Sequence, residues 1–357
     1  MTVSNGEAAV PTRVALAGYG FAGRLFHAPL IRATADARLT RVLTTSRERT
    51  AQALADDPRI TVHGSLGSLL DGAPELLVIA SANAAHTEQA LAALERGIPV
   101  LIDKPLAPTV ALAETIIAAG RAAGVPVIVF LNRRWDSDLL TLRDLLGTGQ
   151  LGTIHRFESR IQRWQPEPTT GWRDQGGPDD GGGILLDLGP HLVDQATLLF
   201  GRVTRIYAEC RTVRPGTDHD DEVFIALTHA SGTVSHLWAS KVAVATEPRM
   251  RAFGSTGSWA SDGLDPQEAQ LRAGLDPAHP DWGRPDQPGT LIDIDGVSQP
   301  WPATPGAWPQ FYRQAIAHVR GEGPNPVTGE DALATLALLE LARDSARTGE
   351  VRTVPAA

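Results

Sequence analysis

Val14-Ala15-Leu16-Ala17-Gly18-Tyr19-Gly20-Phe21-Ala22-Gly23 is a short apolar run that breaks into G-x-G-x-x-G. This order predicts a strand, a tight turn and a helix N-terminus wrapped around a pyrophosphate. Gly18 permits the sharp turn. Gly20, without a side chain, lets phosphates reach the backbone. Gly23 lets the helix pack close to the strand. Phe21 and Ala22 open the helix, whose free N–H groups face the anion.

Short apolar runs then alternate with helical segments: strands near Leu39–Thr44, Ile60–His63, Leu76–Ala80, Val100–Ile102 and Val127–Leu131, with helices between them. The helix after the glycine turn is expected over Phe21–Ala33. Repeated βα units with uniformly apolar strands predict an α/β chain with a doubly wound parallel sheet of Rossmann type. Ligands of such sheets sit at the carboxyl ends of the strands, so every motif that follows a strand points at one crevice.

After about residue 132 the texture changes. Helices are expected at Asp138–Leu146, Ile184–Phe200, Trp308–Arg320 and Asp331–Thr348. Thr153–Arg163 reads as a half-buried strand, followed by a Gly/Pro/Asp stretch over Pro166–Gly183. Long strand-like runs at Val203–Thr212, Glu222–Thr228, Thr233–Ala243 and Arg249–Gly254 predict a second, open and mostly antiparallel sheet. Residues 262–309, rich in Pro, Asp, Gly and Trp, read as irregular. The expected division is a disordered tail over 1–11, a dinucleotide-binding unit over 12–131 and a substrate-binding and oligomerisation unit over 132–357.

Bulk properties narrow the function. The net charge of −9, without a basic cluster, argues against a nucleic-acid partner. A single cysteine, Cys210, excludes an intramolecular disulfide and a cysteine-based zinc site and fits a reducing cytoplasm. Met1–Val10 lacks the basic and apolar regions of a signal peptide. No run approaches the ~18 apolar residues of a membrane span.

Four stretches carry chemistry. The second strand ends Thr44-Thr45-Ser46-Arg47, without the acid that an NAD site places about 20 residues past its glycines. Ser46 and Arg47 instead offer a hydrogen bond and a charged fork to a 2′-phosphate, favouring NADP(H). Ala80-Ser81-Ala82-Asn83, continuing to His86, forms a small polar loop fit to line the nicotinamide ribose. Its alternative reading is a helix cap by Ser81 or Asn83.

Asp103-Lys104-Pro105 places a lysine at a strand's carboxyl end, with proline biasing it toward extended backbone. Its ammonium group can stabilise a developing alkoxide. Finally, Gly182-Gly183 precede Asp187-Leu188-Gly189-Pro190-His191, where Asp187 and His191 share one helical face. His191 suits proton transfer near neutral pH, with Asp187 orienting it. Two other readings stay open: Asp187 as an N-cap with His191 in the core, or a metal held by Asp187, His191 and Asp194.

Together these motifs resemble the Gfo/Idh/MocA family of nicotinamide-dependent oxidoreductases over roughly residues 12–350. The family's Glu-Lys-Pro appears as Asp103-Lys104-Pro105, and its Gly-Gly…Asp-x-Gly-x-His as Gly182-Gly183…Asp187-Leu188-Gly189-Pro190-His191. Its Thr-Pro-Asn appears as Ser81-Ala82-Asn83. Phe26-His27-Ala28-Pro29-Leu30-Ile31, Asn132-Arg133-Arg134-Trp135-Asp136-Ser137-Asp138 and Gly263-Leu264-Asp265-Pro266-Gln267-Glu268 are most similar to its NADP-dependent scyllo-inositol dehydrogenase branch.

The resemblance implies catalysis by Lys104, Asp187 and His191 without a metal. It also implies cofactor contacts from Asp103, Lys104 and Pro105, and a substrate side shaped by Asn132, Arg133 and Trp164. The expected substrate is a secondary alcohol or ketone of a cyclic polyol or sugar. The expected assembly is a homodimer or homotetramer formed through the second sheet. The same motifs occur in reductases of other ketones, imines and secondary-metabolite sugars, and in sugar-hydrolysing relatives that keep their cofactor. The intact Lys104, Asp187 and His191 argue against a non-catalytic NADP(H)-binding sensor.

Overall fold

A computed structural model describes residues 10–168, 182–244 and 247–355. The expected tail lies outside the described residues up to position 9; Val10 and Pro11 lead directly into the first strand.

Six strands form a parallel sheet: β1 (Thr12–Ala17), β2 (Ala37–Leu43), β3 (Thr61–His63), β4 (Leu76–Ile79), β5 (Val100–Asp103) and β6 (Val127–Phe130). Their order is β3-β2-β1-β4-β5-β6. The order reverses between β1 and β4, which opens a crevice at their carboxyl ends. β4 is buried at every residue, as expected for a strand covered on both faces.

The glycine turn closes on this switch point. Gly18 has φ +99°, and a Cβ there would sit 2.6 Å from the Ala80 carbonyl oxygen at the end of β4. A Cβ on Gly23 would overlap the Gly18 carbonyl. The following helix is not regular. Gly23–His27 forms a π turn before the α-helix Ala28–Arg32. Pro29 has no N–H to donate to the previous turn, in keeping with a widened helix there. The π turn leaves His27 fully buried.

The second sheet has nine strands: β7 (Ile154–Gln162), β8 (Val203–Arg211), β9 (Glu222–His229), β10 (Val234–Ser240), β11 (Met250–Gly254), β12 (Gly257–Ser261), β13 (Gly289–Asp293), β14 (Ser298–Trp301) and β15 (Arg352–Thr353). Their order is β14-β13-β12-β11-β7-β10-β9-β8-β15. Only the β7–β10 pair is parallel among these described pairings. Strict alternation along β9 places Val223, Ile225 and Leu227 under the helices and Glu222, Phe224 and Ala226 on the open face.

Residues 262–309 are more ordered than their composition predicts. They contain the helix Gln267–Arg272 and strands β13 and β14. Pro300 sits in β14, at the sheet edge where a missing N–H costs no ladder bond. These short strands at one end of the sheet carry too few apolar residues to announce themselves.

The last helix, Gly329–Thr348, joins the two halves. It begins with a Thr328/Asp331 capping box and packs on Val110–Ala123, on Ile184–Phe200 and on β8. The Val129 N–H also donates to the Val327 carbonyl, at 3.1 Å.

The glycine turn provides a stability test. Gly23→Ala forces a methyl group against the Gly18 carbonyl and is expected to cost about 1–3 kcal/mol. Gly67→Ala, with no heavy atom within 4 Å of its Cβ position, is the control. Urea midpoints that fall for the first and not the second are the expected result; equal midpoints would contradict this packing.

Candidate active site

The turn after β1 and the carboxyl ends of β5 and β6 open into a cleft of about 720 Å³. Its walls include Phe21 and Ala22 from the glycine turn and Asp103 and Lys104 from the end of β5. Asn132 and Arg133 follow β6, and Asp187 and His191 come from the helix Ile184–Phe200.

Lys104 reaches across from the first sheet to that helix. Its Nζ donates to Asp187 Oδ1 at 2.8 Å and to the Asp187 carbonyl at 2.5 Å. Both side chains are about one-seventh exposed, at 14% each. Arg163 Nη2 lies 3.9 Å from the other Asp187 oxygen.

Asp103 is set behind Lys104. Its Oδ1 accepts the Lys104 backbone N–H at 2.8 Å, and its Oδ2 lies 3.8 Å from His27 Nε2. His27 Nδ1 is 2.6 Å from the Tyr312 hydroxyl. Burial alone would raise the Asp103 pKa. The neighbouring His27 ring, with the Lys104 ammonium group adding to it, outweighs burial and holds it below the usual carboxylate value.

His191 is 5% exposed, and its Nδ1 has no hydrogen-bond partner among the described residues. Burial pushes its pKa well below the ordinary 6.5, and the charges of Arg133 and Lys104 push in the same direction. Asp187 opposes them. The ring is therefore neutral at neutral pH, with a buried nitrogen available to a ligand.

The alternative readings of this segment are not realised. The helix is capped from outside: Asp220 Oδ2 accepts the Leu185 N–H at 2.6 Å, and the Asp220 carbonyl accepts the Ile184 N–H at 2.8 Å. Asp187 is thus not the cap. Asp194 turns away from His191 and takes a bidentate pair from Arg134, at 2.6 and 2.8 Å. Asp187, His191 and Asp194 do not form a shared ligand set.

The loop after β4 also differs from its capping expectation. Ser81 donates to Gln89 Oε1 at 2.8 Å, and Asn83 is buried with an unpaired Nδ2. Neither caps the helix His86–Leu94. His86 is fully buried, with Nδ1 3.0 Å from the Pro105 carbonyl and Nε2 3.3 Å from the Ser81 carbonyl. It ties the loop after β4 to the loop after β5 and does not line the cleft.

On the substrate side, Asn132 is buried, and Arg133 donates to Asp136 Oδ2 at 3.0 Å while lying 3.5 Å from Glu268. Trp164 is a correction. It is 56% exposed, and it bridges Val242 on a strand-like segment whose alternation sends Arg163 and Gln165 into the cleft and Trp164 out of it. Trp172 and Gly181 lie outside the described residues.

The groups present fit a dinucleotide. A Cβ on Gly20 would meet the Arg49 guanidinium at 3.6–3.8 Å, so this cation stands beside the glycine turn. Ser46 caps the helix Arg47–Asp56 by accepting the Arg49 N–H at 3.3 Å. Its own hydroxyl proton remains available to donate. Arg47 is exposed at the helix start, and Glu48 is held by Gln52 along the helix. Arg49 went unnoticed in the sequence because only the β2 turn brings it over the glycines.

Residues 12–131 match the oxidoreductase family with an NAD-binding Rossmann fold, and residues 139–260 match the GFO/IDH/MocA C-terminal domain. The chain belongs to the GFO/IDH/MocA family of oxidoreductases. It is 38% identical over 339 residues to the uncharacterized oxidoreductase YdgJ of Escherichia coli (strain K12), covering 94% of this chain and 96% of the other. It is 30% identical over 361 residues to the scyllo-inositol 2-dehydrogenase (NADP(+)) IolW of Bacillus subtilis (strain 168), covering 99% of each. The solved structure of YPO2259 from Yersinia pestis superimposes with a TM-score of 0.92 at 35% identity, over 98% of this chain and 99% of that one. A nicotinamide-dependent oxidoreductase is the activity class of the fold.

The state of His191 has a pH consequence. The unfolded chain takes up this proton near pH 6.5, and the folded chain takes it up only well below that. Proton binding therefore favours unfolding, and stability falls as pH drops below about 6.5. Burial depresses His86 and His229 in the same direction. NMR titration is expected to show the His191 ring neutral at pH 6, and His191→Asn should flatten part of the acid slope of the unfolding free energy. A ring that titrates at or above 6.5 would contradict the site's electrostatics.

Proposed function

We propose that the protein is an NADP(H)-dependent oxidoreductase that interconverts a secondary alcohol and a ketone on a cyclic polyol or sugar. The observation that carries this reading is the Lys104–Asp187 pair at 2.8 Å beside the buried, neutral His191. The three groups face one cleft at the carboxyl ends of the first sheet.

The bound nicotinamide supplies the site that exchanges a hydride with the carbinol carbon. Lys104 holds the reacting oxygen and stabilises negative charge developing on it. His191 takes the hydroxyl proton in oxidation and returns it in reduction. Asp187 orients the Lys104 ammonium group and receives a neighbouring substrate hydroxyl. Arg133, Asn132 and Arg163 shape the pocket around the remaining polar groups of the substrate.

Ser46, Arg47 and Arg49 support preference for NADP(H), since no carboxylate stands at the tip of β2. The similarity to an NADP(+)-dependent scyllo-inositol 2-dehydrogenase supports both the cofactor and the polyol class. The similarity to a D-apiose dehydrogenase of Paraburkholderia graminis (30% identity over 286 residues) keeps other sugars in view.

We assign the open face of the second sheet to self-association. Phe224 and Trp238 pair there with ring centroids 5.2 Å apart, and Arg160 lies 4.0 Å over the Trp238 ring. A second copy would cover this aromatic band. The single cysteine accords with a cytoplasmic setting; among the described residues no helix is long and apolar enough to cross a membrane.

Initial rates with NADP+ or NAD+ and a panel of inositols, aldoses and glycosides test the reading. Turnover of one polyol with strong NADP+ preference is expected, and Arg49→Ala should raise KM for NADP+ about tenfold or more while sparing NAD+. Turnover restricted to imines or non-sugar ketones would overturn the substrate class. Lys104→Ala is expected to slow hydride transfer roughly 10²–10³-fold while changing cofactor Kd little. Equal loss of both would remove Lys104 from the chemical step.

A further inference from the structure

Gly263-Leu264-Asp265-Pro266-Gln267-Glu268 takes no part in the chemistry above, yet it is anchored by buried polar groups. Asp265 Oδ2 accepts the Ser137 N–H at 2.7 Å, and Oδ1 accepts the Gln267 N–H at 2.9 Å. Gln267 is fully buried. Its Oε1 accepts the Trp308 backbone N–H at 2.6 Å and the Trp282 indole N–H at 2.8 Å, and its Nε2 donates to the Trp135 carbonyl at 3.1 Å. Burying a carboxylate and an amide is costly unless each atom is satisfied, and these are. The anchoring fixes where the helix Gln267–Arg272 stands.

That helix leans on the glycine turn from the opposite wall of the cleft. The Arg272 guanidinium lies 4.7 Å over the ring of Phe21, inside G-x-G-x-x-G. Glu268 Oε1 accepts from Arg272 Nη2 at 2.8 Å and Nε at 3.2 Å. The second Glu268 oxygen is 3.5 Å from Arg133 Nη2, on the substrate side. One carboxylate thus links a cation at the cofactor turn to a cation in the substrate pocket. Arg272 is half exposed and lines the cleft together with Phe21 and Ala22.

We propose that Arg272 is a cofactor-binding residue supplied from outside the nucleotide-binding sheet, which clamps the dinucleotide's pyrophosphate against the Gly20–Phe21 turn. Glu268 is a positioning residue that sets the clamp and Arg133 in register. A guanidinium fork suits a pyrophosphate oxygen pair, and the Phe21 face holds its plane over the turn. The arrangement ties the cofactor turn and the substrate pocket together through one carboxylate. This inference rests on the nucleotide-binding reading and is independent of the substrate.

The experiment is equilibrium binding, read by titration calorimetry, of NADPH and of adenosine 2′-monophosphate, which carries neither phosphate of the pyrophosphate. Wild type, Arg272→Ala, Arg272→Lys and Glu268→Gln are compared at low and high salt. Arg272→Ala is expected to raise the NADPH Kd about tenfold or more and weaken its salt dependence, with adenosine 2′-monophosphate unaffected. Arg272→Lys should recover part of the loss, and Glu268→Gln should raise the Kd less than Arg272→Ala. An unchanged NADPH Kd in Arg272→Ala overturns the proposal, as does an equal loss for both ligands. A wild-type protein that binds neither NADPH nor NADH overturns the nucleotide reading underneath it.

Discussion

The contact between Lys104 and Asp187 is the constraint around which the site is arranged. It joins residues 83 positions apart in the chain, one at the end of β5 and the other in the helix Ile184–Phe200. A paired lysine and aspartate in a mostly buried cleft bear a desolvation cost that good geometry must offset. Two contacts from one ammonium group to the same residue provide that geometry. The pair also sets the field in which His191 sits.

Around it, the cleft is built from charges that are paired one by one. Arg134 holds Asp194, Arg133 holds Asp136, and Arg249 lies 3.1 Å from Asp138. Arg249 also donates to Ser159 and, at 3.0 Å, to Gln195 Oε1. The Gln195 amide in turn donates to the Arg133 carbonyl at 2.8 Å. Gln195 follows His191 by one helical turn, so this network fixes the helix, the loop after β6 and β11 against one another. Burial pushes the pKa of Asp136 and of Asp265 upward, and their neighbouring carboxylates add to it. The wall of the pocket is therefore held by paired charges and electrostatically crowded.

Much of the first half was legible because its signals are local. A glycine turn after an apolar strand specifies backbone shape, and uniformly apolar strands separated by helices specify a covered parallel sheet. The motif residues Lys104, Asp187 and His191 were legible as chemistry and as a family resemblance. The second half was less so. β12, β13 and β14, at one end of the second sheet, were hidden because they are short and carry few buried apolar residues. Trp164 was misplaced because alternation around one isolated bridge decides which neighbour faces the cleft. The π turn at Gly23–His27 leaves no signature beyond Pro29.

The sequence by itself determined the parallel sheet and the residue types able to hold a dinucleotide and move a proton. Those follow from spacing and backbone permissiveness over a few residues. The tertiary structure alone decided which charges meet. It gave Asp194 to Arg134 and Asp187 to Lys104, placed Asp220 as the cap of the Ile184–Phe200 helix, and brought Arg49 to Gly20 and Arg272 to Phe21. These pairings depend on long-range packing of two sheets, and no local pattern carries that information.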